Sequence, residues 1–162
     1  MVDHMLIKLG KYLRILGYDA AWDTALRTHE LILRANAEER VFLTRNMRLP
    51  DQYPKPWRVI VIRSTDPVGQ MGEVVAQEKI DTGRFLFTKC IRCNVALAGV
   101  PDKQEIREQV HPNVFRCYER FYRCPSCGTV FWKGSHVRNT CRKLGLVGPA
   151  EEGDLTEANE GR

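Results

Sequence analysis

The amino-acid sequence predicts an α/β fold, with a parallel sheet flanked by helices, followed by a small cysteine-rich module. Up to about residue 80, stretches with helical apolar periodicity alternate with short apolar runs rich in β-branched residues. After residue 84 this alternation gives way to two CxxC pairs surrounded by aromatic and basic residues. We therefore expect an α/β unit at residues 1–82, a cysteine-rich unit at 83–148 and a disordered acidic tail at 149–162.

The first half of the α/β unit is predicted to contain two helices and a strand. A helix is predicted over residues 4–16, because leucines recur there at three- and four-residue steps and form one apolar face. Gly17 follows as a helix stop. Residues 18–22 are predicted as a short strand, and Thr28 is predicted to cap a second helix that continues to about residue 39.

The second half of the unit is predicted to contribute two more strands and a helix. The run Val41–Thr44 predicts a strand, and the β-branched residues 59–62 predict a central strand buried on both faces. A third helix is predicted to follow Asp66 over residues 67–80, with Val68 among its inward side chains. Right-handed crossovers would place the carboxyl ends of the strands at one edge of the sheet, where sites usually form.

The two CxxC pairs are the strongest chemical signal in the sequence. Two thiolates three residues apart can bind one ion through a tight turn, and two such turns complete a tetrahedral Zn²⁺ site. The predicted structural zinc ligands are Cys90, Cys93, Cys124 and Cys127. A redox role is less favoured, since neither pair lies at a strand-to-helix junction of a thioredoxin-like unit. The pattern therefore predicts a four-cysteine zinc ribbon.

Charge is distributed unevenly along the chain. The net charge is +5, but residues 151–162 hold five acids and one base, so residues 1–150 carry 24 basic and 15 acidic residues, a balance of +9. A basic body favours an acidic partner such as a phosphate backbone, although a merely soluble basic surface is an equally good reading. Neither a secretory signal nor an apolar run of about 20 residues is visible, which predicts a cytoplasmic protein without membrane contact.

Aromatic and basic side chains are interleaved around the cysteines, a pattern typical of single-stranded nucleic-acid binding. The alternative is that a small ribbon needs these aromatics for its own core. The residues predicted to contact RNA, including two lysines of the first helix, are Lys8, Lys11, Arg92, Arg123, Trp132, Lys133 and His136.

Three stretches resemble one known family. They are "VDHMLIKLGKYLRILGYD" at the N-terminus, "FLTRN" at residues 42–46 and "FYRCPSCGTVFWKGSH" at residues 121–136. In combination they resemble the Mut-seven C-terminal RNase domain family over residues 2–140. The resemblance implies a PIN-like nuclease fold joined to a zinc ribbon. It also implies RNA cleavage that depends on Mg²⁺ or Mn²⁺ held by clustered acidic residues.

The resemblance assigns roles to individual positions, some of which have lost the acid of the family pattern. Asp3 matches the family's first aspartate, and Asp23 ends the predicted second strand. Thr28 stands where the family often has an aspartate, and Asn46 replaces the aspartate of Thr-Arg-Asp. The candidate catalytic residues are Asp3, Asp23, Glu30, Arg45 as a phosphate clamp, and Asn46.

Three functions follow as alternatives from these observations. The first is a PIN-like ribonuclease with a weakened metal site. The second is an inactive module that holds RNA or a ribonucleoprotein without cutting it. The third is an interaction protein whose ribbon docks another protein.

Overall fold

The computed structural model describes residues 1–51, 54–82 and 86–145, leaving aside the side chains of residues 50 and 136. Within these ranges a mixed α/β layer is followed by a small antiparallel sheet. The predicted acidic tail lies outside the described residues. In the described part of the chain, no helix has the length and apolar character that crossing a bilayer requires.

Helices and short strands alternate along the described chain. The helices are α1 (Ile7–Ile15), α2 (Thr28–Ala37), α3 (Pro67–Glu78), α4 (Pro112–Cys117) and α5 (Ser135–Lys143). The strands are β1 (Val41–Thr44), β2 (Arg58–Val61), β3 (Ala98–Gly99), β4 (Tyr122–Arg123) and β5 (Val130–Phe131). Short 3₁₀ helices occupy His4–Leu6, Leu49–Asp51 and Lys103–Gln109.

β1 is the centre of the parallel sheet. It pairs in parallel with β2 on one side, and on the other side Val2 forms a parallel bridge to Leu43. The prediction that residues 59–62 form a central strand is wrong in this respect, because β2 pairs only with β1 among the described residues. Its first residue, Arg58, is exposed, while Ile60 is buried. β2 therefore has one buried face and one half-buried face, although its β-branched residues predicted burial on both faces.

Residues 18–22 do not form the predicted strand. Ala21 accepts one backbone hydrogen bond from Val2, at 2.8 Å. The neighbouring Ala20 is instead bound by side chains: its N–H donates to Asn94 at 3.3 Å and its carbonyl accepts from Arg14 Nε at 2.8 Å. At Ala20, side chains therefore take the backbone N–H and carbonyl groups that a strand would have used in the sheet.

The helix predictions hold except at individual positions. Gly17 adopts φ 83° at the end of α1, the left-handed conformation that a glycine stop supplies. On α3, Val68 is 43% exposed, so its predicted inward position is wrong. Gln70 is buried in the first turns of α3 instead, and its amide donates to the carbonyls of Ser64 and Thr65 at 3.3 Å.

α1 contacts both the parallel sheet and the cysteine-rich unit. Leu9 and Leu13 belong to the core under the sheet, while Ile15 packs against the core around the cysteines. The N–H of Phe87 donates to the carbonyl of Ile15 at 2.7 Å. α1 thus places the cysteine-rich unit against the α/β layer, so that both parts share one helix.

Candidate functional site

Asp3 lies at the edge of the sheet where β1 ends. Its carboxylate is almost completely buried, and Oδ2 accepts a hydrogen bond from the hydroxyl of Thr44 at 2.6 Å. The other oxygen, Oδ1, accepts from the backbone N–H of His4 at 2.7 Å. Because Thr44 is the last residue of β1 and is also fully buried, the carboxylate is fixed at the carboxyl end of the central strand.

Asn46 joins the same network through Thr44. The N–H of Asn46 donates to the Thr44 hydroxyl oxygen at 3.1 Å, while that hydroxyl donates to Asp3. The Asn46 side-chain oxygen accepts from the N–H of Arg48 at 3.1 Å, which shapes the loop after β1. Asp3 and Asn46 are therefore linked by one bridging hydroxyl at the edge of the sheet.

Asp23 approaches this network through its backbone. Its carbonyl oxygen lies 3.1 Å from Nε2 of His4, the residue that follows Asp3. Its carboxylate accepts from the N–H of Ala25 at 2.9 Å and lies 3.8 Å from the guanidinium of Arg34 on α2. The Asp23 side chain is thus engaged with its own loop and with α2.

Glu30 caps α2. Its Oε2 accepts a hydrogen bond from the N–H of Arg27 at 2.7 Å, and Arg27 is the residue that precedes the helix. The prediction that Thr28 is the cap is therefore wrong, since Thr28 is the first helical residue. One Glu30 oxygen has a structural partner, and its role as a metal ligand stays a prediction.

The acidic residues do not converge as the cysteines do. Among the described residues, the group of three or more His, Cys, Asp or Glu side chains with converging ligand atoms is the set of four cysteines. Asp3, Asp23 and Glu30 do not form such a group. The edge therefore offers one buried carboxylate, a neighbouring amide and a half-exposed histidine rather than a cluster of acids.

Arg45 carries an unsatisfied donor beside this network. Its Nε is buried and, within the described residues, is the one buried side-chain polar atom without a hydrogen-bond partner. Arg45 stands between Thr44 and Asn46 in the chain. A buried donor without a partner is energetically unfavourable, and the role of Arg45 as a phosphate clamp stays a prediction.

The four cysteines form a compact sulfur cluster. Their Sγ atoms lie within 4.8 Å of one another, and those of Cys90 and Cys127 are 3.9 Å apart. A tetrahedral site with Zn–S bonds of about 2.3 Å places sulfurs roughly 3.8 Å apart. In each pair the second cysteine's N–H faces the first cysteine's sulfur at 3.4 Å, the turn expected of a metal-binding knuckle. The cluster could hold a metal such as zinc.

The environments of two of these thiols differ. Burial raises the pKa of Cys90 to about 12, whereas the hydroxyl of Thr129 lowers the pKa of the exposed Cys127 to about 6. A buried thiol such as Cys90 becomes a thiolate readily only beside a cation. The donor set and the burial of Cys90 therefore fit a bound metal ion. Of the other cysteines, Cys117 is exposed and Cys141 is buried.

The basic residues predicted to contact RNA differ in their surroundings. Lys8 and Lys11 are exposed on α1. Arg92 is exposed and lies 3.4 Å from the Thr129 hydroxyl, whereas Arg123 is half-buried and lies 3.8 Å from a Glu105 oxygen. Lys8, Lys11 and Arg92 are therefore exposed to solvent, and their contact with RNA stays a prediction.

Trp132 packs within the cysteine-rich unit. Its ring centroid is 6.5 Å from that of Tyr118 and 6.4 Å from that of Phe121. Lys133 beside it is half-buried, and the side chain of His136 lies outside the described part of the chain. These contacts favour the alternative reading in which the aromatic residues build the core of the ribbon.

Sequence reasoning gave no role to two polar residues of the edge, Thr44 and His4. Thr44 connects Asp3 with Asn46, and His4 connects Asp3 with the backbone of Asp23. The sequence indicates these roles only through position: Thr44 is the last residue of an apolar strand, and His4 directly follows Asp3.

The fold and its two centres define a class of protein: a small α/β layer with a polar sheet edge, joined to a four-cysteine module. A family model described as the Mut7-C RNAse domain matches residues 1–144, and the chain belongs to that family. The resemblance seen in the three motifs is confirmed. No curated protein and no solved structure gives a significant match to the chain.

Proposed function

We propose that this protein is a metal-dependent ribonuclease of PIN-like type whose active site is weaker than the family pattern. The observation that carries the proposal is the hydrogen-bonded set of Asp3, Thr44 and Asn46 at the carboxyl edge of a parallel sheet, in a chain of an RNase domain family. Its predicted substrate is RNA.

Asp3 is the central ligand in this proposal. When bound, Mg²⁺ or Mn²⁺ stabilises charge on the phosphate oxygens and activates a water. Asp3 would hold the cation through its carboxylate, which the Thr44 hydroxyl and the His4 N–H keep in one orientation. Asp23 and Glu30 would have to leave their present partners, the N–H groups of Ala25 and Arg27, to reach the same cation.

Arg45 would position the scissile phosphate. Its buried Nε has no partner among the described residues, and a guanidinium matches the oxygens of a phosphate with parallel hydrogen bonds. The residue lies in the loop between Thr44 and Asn46, next to the proposed ligand.

The cysteine-rich unit would hold a structural zinc and extend the RNA-binding surface. Four thiolates leave no open position on the ion, so the metal there would fold the unit rather than catalyse a reaction. The exposed lysines of α1, Lys8 and Lys11, lie on the helix that joins both units, and Arg92 lies in the first knuckle. These charges would bind the RNA backbone.

A second candidate function is an RNA- or ribonucleoprotein-binding module without cleavage. Asn46 favours it, because an amide oxygen does not offset the charge of a cation, and this one already accepts the N–H of Arg48. Both functions would use the same RNA-binding surface, so an assay of RNA cleavage distinguishes them.

Asp3→Asn and Asn46→Asp distinguish these functions, with Asn139→Asp on α5 as the matched control. With zinc-loaded protein, Mg²⁺ or Mn²⁺ and a labelled single-stranded RNA, we expect slow cleavage by the unaltered chain. Asp3→Asn should lower the rate at least about tenfold, since it removes the buried anionic ligand. Asn46→Asp should raise it about tenfold, and Asn139→Asp should leave it unchanged.

The remaining outcomes decide against one or both functions. Retention of RNA by all four proteins without cleavage would support the binding module and contradict the ribonuclease. Equal cleavage by the unaltered chain and Asp3→Asn would show that this edge is not the active site. Proteins that neither bind nor cut RNA would contradict both functions.

A further inference from the structure

His4 has a fixed tautomer at the edge of the sheet. Its Nε2 lies 3.1 Å from the carbonyl oxygen of Asp23, and a carbonyl oxygen can only accept a hydrogen bond. Nε2 therefore carries the proton in the neutral imidazole, and Nδ1 carries the free lone pair. Metal-binding histidines are typically oriented in this way, with one ring N–H donated to a backbone carbonyl.

The free nitrogen faces the buried carboxylate. Nδ1 of His4 lies 3.7 Å from Oδ1 of Asp3, and the side chains are 35% and 5% exposed, respectively. Nitrogen and oxygen ligands on one cation, each at about 2.0–2.2 Å, stand roughly 3–4 Å apart. The two atoms are thus spaced as neighbouring ligands, with the carboxylate buried and the imidazole open to solvent.

We propose that Nδ1 of His4 and the Asp3 carboxylate together bind a divalent first-row transition cation in preference to Mg²⁺. The inference rests on the proposed function and specifies the cation of that site. Imidazole nitrogen suits first-row cations such as Fe²⁺, Ni²⁺ and Zn²⁺, whereas Mg²⁺ requires oxygen ligands. His4 thereby supplies a nitrogen ligand at an edge where Asn46 offers a neutral amide.

The test uses Mn²⁺ as the probe on the zinc-loaded full chain, without RNA. Electron paramagnetic resonance counts the bound Mn²⁺, and pulsed measurements detect coupling to a ligand ¹⁴N nucleus. We expect one bound Mn²⁺ with a ¹⁴N coupling, and weak competition by Mg²⁺. His4→Ala should remove the coupling and weaken Mn²⁺ binding at least about tenfold.

Two further variants complete the comparison. His29→Ala changes an exposed histidine on α2 and should leave both the affinity and the coupling unchanged. His4→Asn keeps a polar side chain without an imidazole. If His4→Ala loses its zinc content or its helical circular dichroism, His4→Asn serves as the variant that tests whether His4 binds Mn²⁺. The expected result for His4→Asn is again the loss of the ¹⁴N coupling.

Failure of this inference is distinguishable from failure of the proposed function. Mn²⁺ bound without ¹⁴N coupling, Mn²⁺ affinity unchanged in both His4 variants, or no bound Mn²⁺ would overturn the His4 site, whether or not the protein cuts RNA. Mn²⁺ bound with the coupling, in a protein that does not cut RNA, would support the His4 site and contradict the ribonuclease.

Discussion

At Gly10, α1 packs tightly against the segment that follows it. A Cβ atom at this position would lie 2.9 Å from two ring carbons of Trp22 and 3.4 Å from Val2. The Trp22 ring cannot move away easily, because the guanidinium of Arg14 is 3.5 Å from its centroid. Position 10 therefore requires glycine because a larger side chain would not fit, and not because of its backbone conformation.

Gly10→Ala is predicted to lower the free energy of unfolding by about 1 kcal/mol. Overpacking costs about 1–3 kcal/mol, which exceeds the gain of roughly 1 kcal/mol that alanine brings to a helix. Gly72→Ala on α3 is the matched control, since no atom lies within 4 Å of its added Cβ, and it should raise stability by up to about 1 kcal/mol. Urea unfolding measures both, and stabilisation of both variants would contradict the packing argument.

At the scale of single elements, α3 shows how local sequence fixes a helix start. The Asp66 carboxylate accepts hydrogen bonds from the N–H groups of Val68 and Gly69, each at 3.0 Å. Pro67 follows at the first helical position, where its missing N–H costs nothing. The sequence predicted this start, and the structure confirms it.

Asp66→Ala is predicted to destabilise the protein by about 1 kcal/mol, because two N–H groups at the start of α3 lose their acceptor. Asp66→Asn retains a side-chain oxygen and should cost less than half of that. Thermal unfolding followed by circular dichroism compares the two variants with the unaltered chain. Equal losses for alanine and asparagine would indicate that the carboxylate charge, rather than capping, sets the stability of the helix start.

At the scale of the whole molecule, Arg14 connects the two units. It is buried on α1, where its Nη1 donates to the carbonyls of Ile91 and Arg92 in the first knuckle at 3.0 and 2.8 Å. Its Nε donates to Ala20, and burial lowers the pKa of the guanidinium from its usual value. One side chain thus holds the loop after α1 and the cysteine-rich unit together.

Removal of the proposed zinc is predicted to unfold the cysteine-rich unit while the parallel sheet persists. Cys90 and Cys124 belong to the core of that unit, whereas the core under the sheet is formed mainly by α1, β1, β2 and α3. A strong chelator should release one zinc per chain and remove amide protection from about residue 87 onwards. Hydrogen exchange read by mass spectrometry checks this, and simultaneous loss of protection in β1 and β2 would contradict it.

The sequence determined the elements whose signals are local. Apolar spacing placed α1 and β1, Asp66 and Pro67 placed the start of α3, and the CxxC spacing identified four cysteines that the structure brings together. These predictions succeeded because periodicity, capping and knuckle turns depend on residues only a few positions apart.

Only the tertiary structure decided the arrangement of the sheet edge. The backbone groups of Ala20 are bound by the side chains of Arg14 and Asn94, and residues 18–22 form no strand. The Thr44 hydroxyl donates a hydrogen bond to Asp3, and the carbonyl of Asp23 orients the imidazole ring of His4. Such contacts join residues that are far apart in the chain, and no local pattern encodes them, because they depend on how β1 and the loops pack around α1.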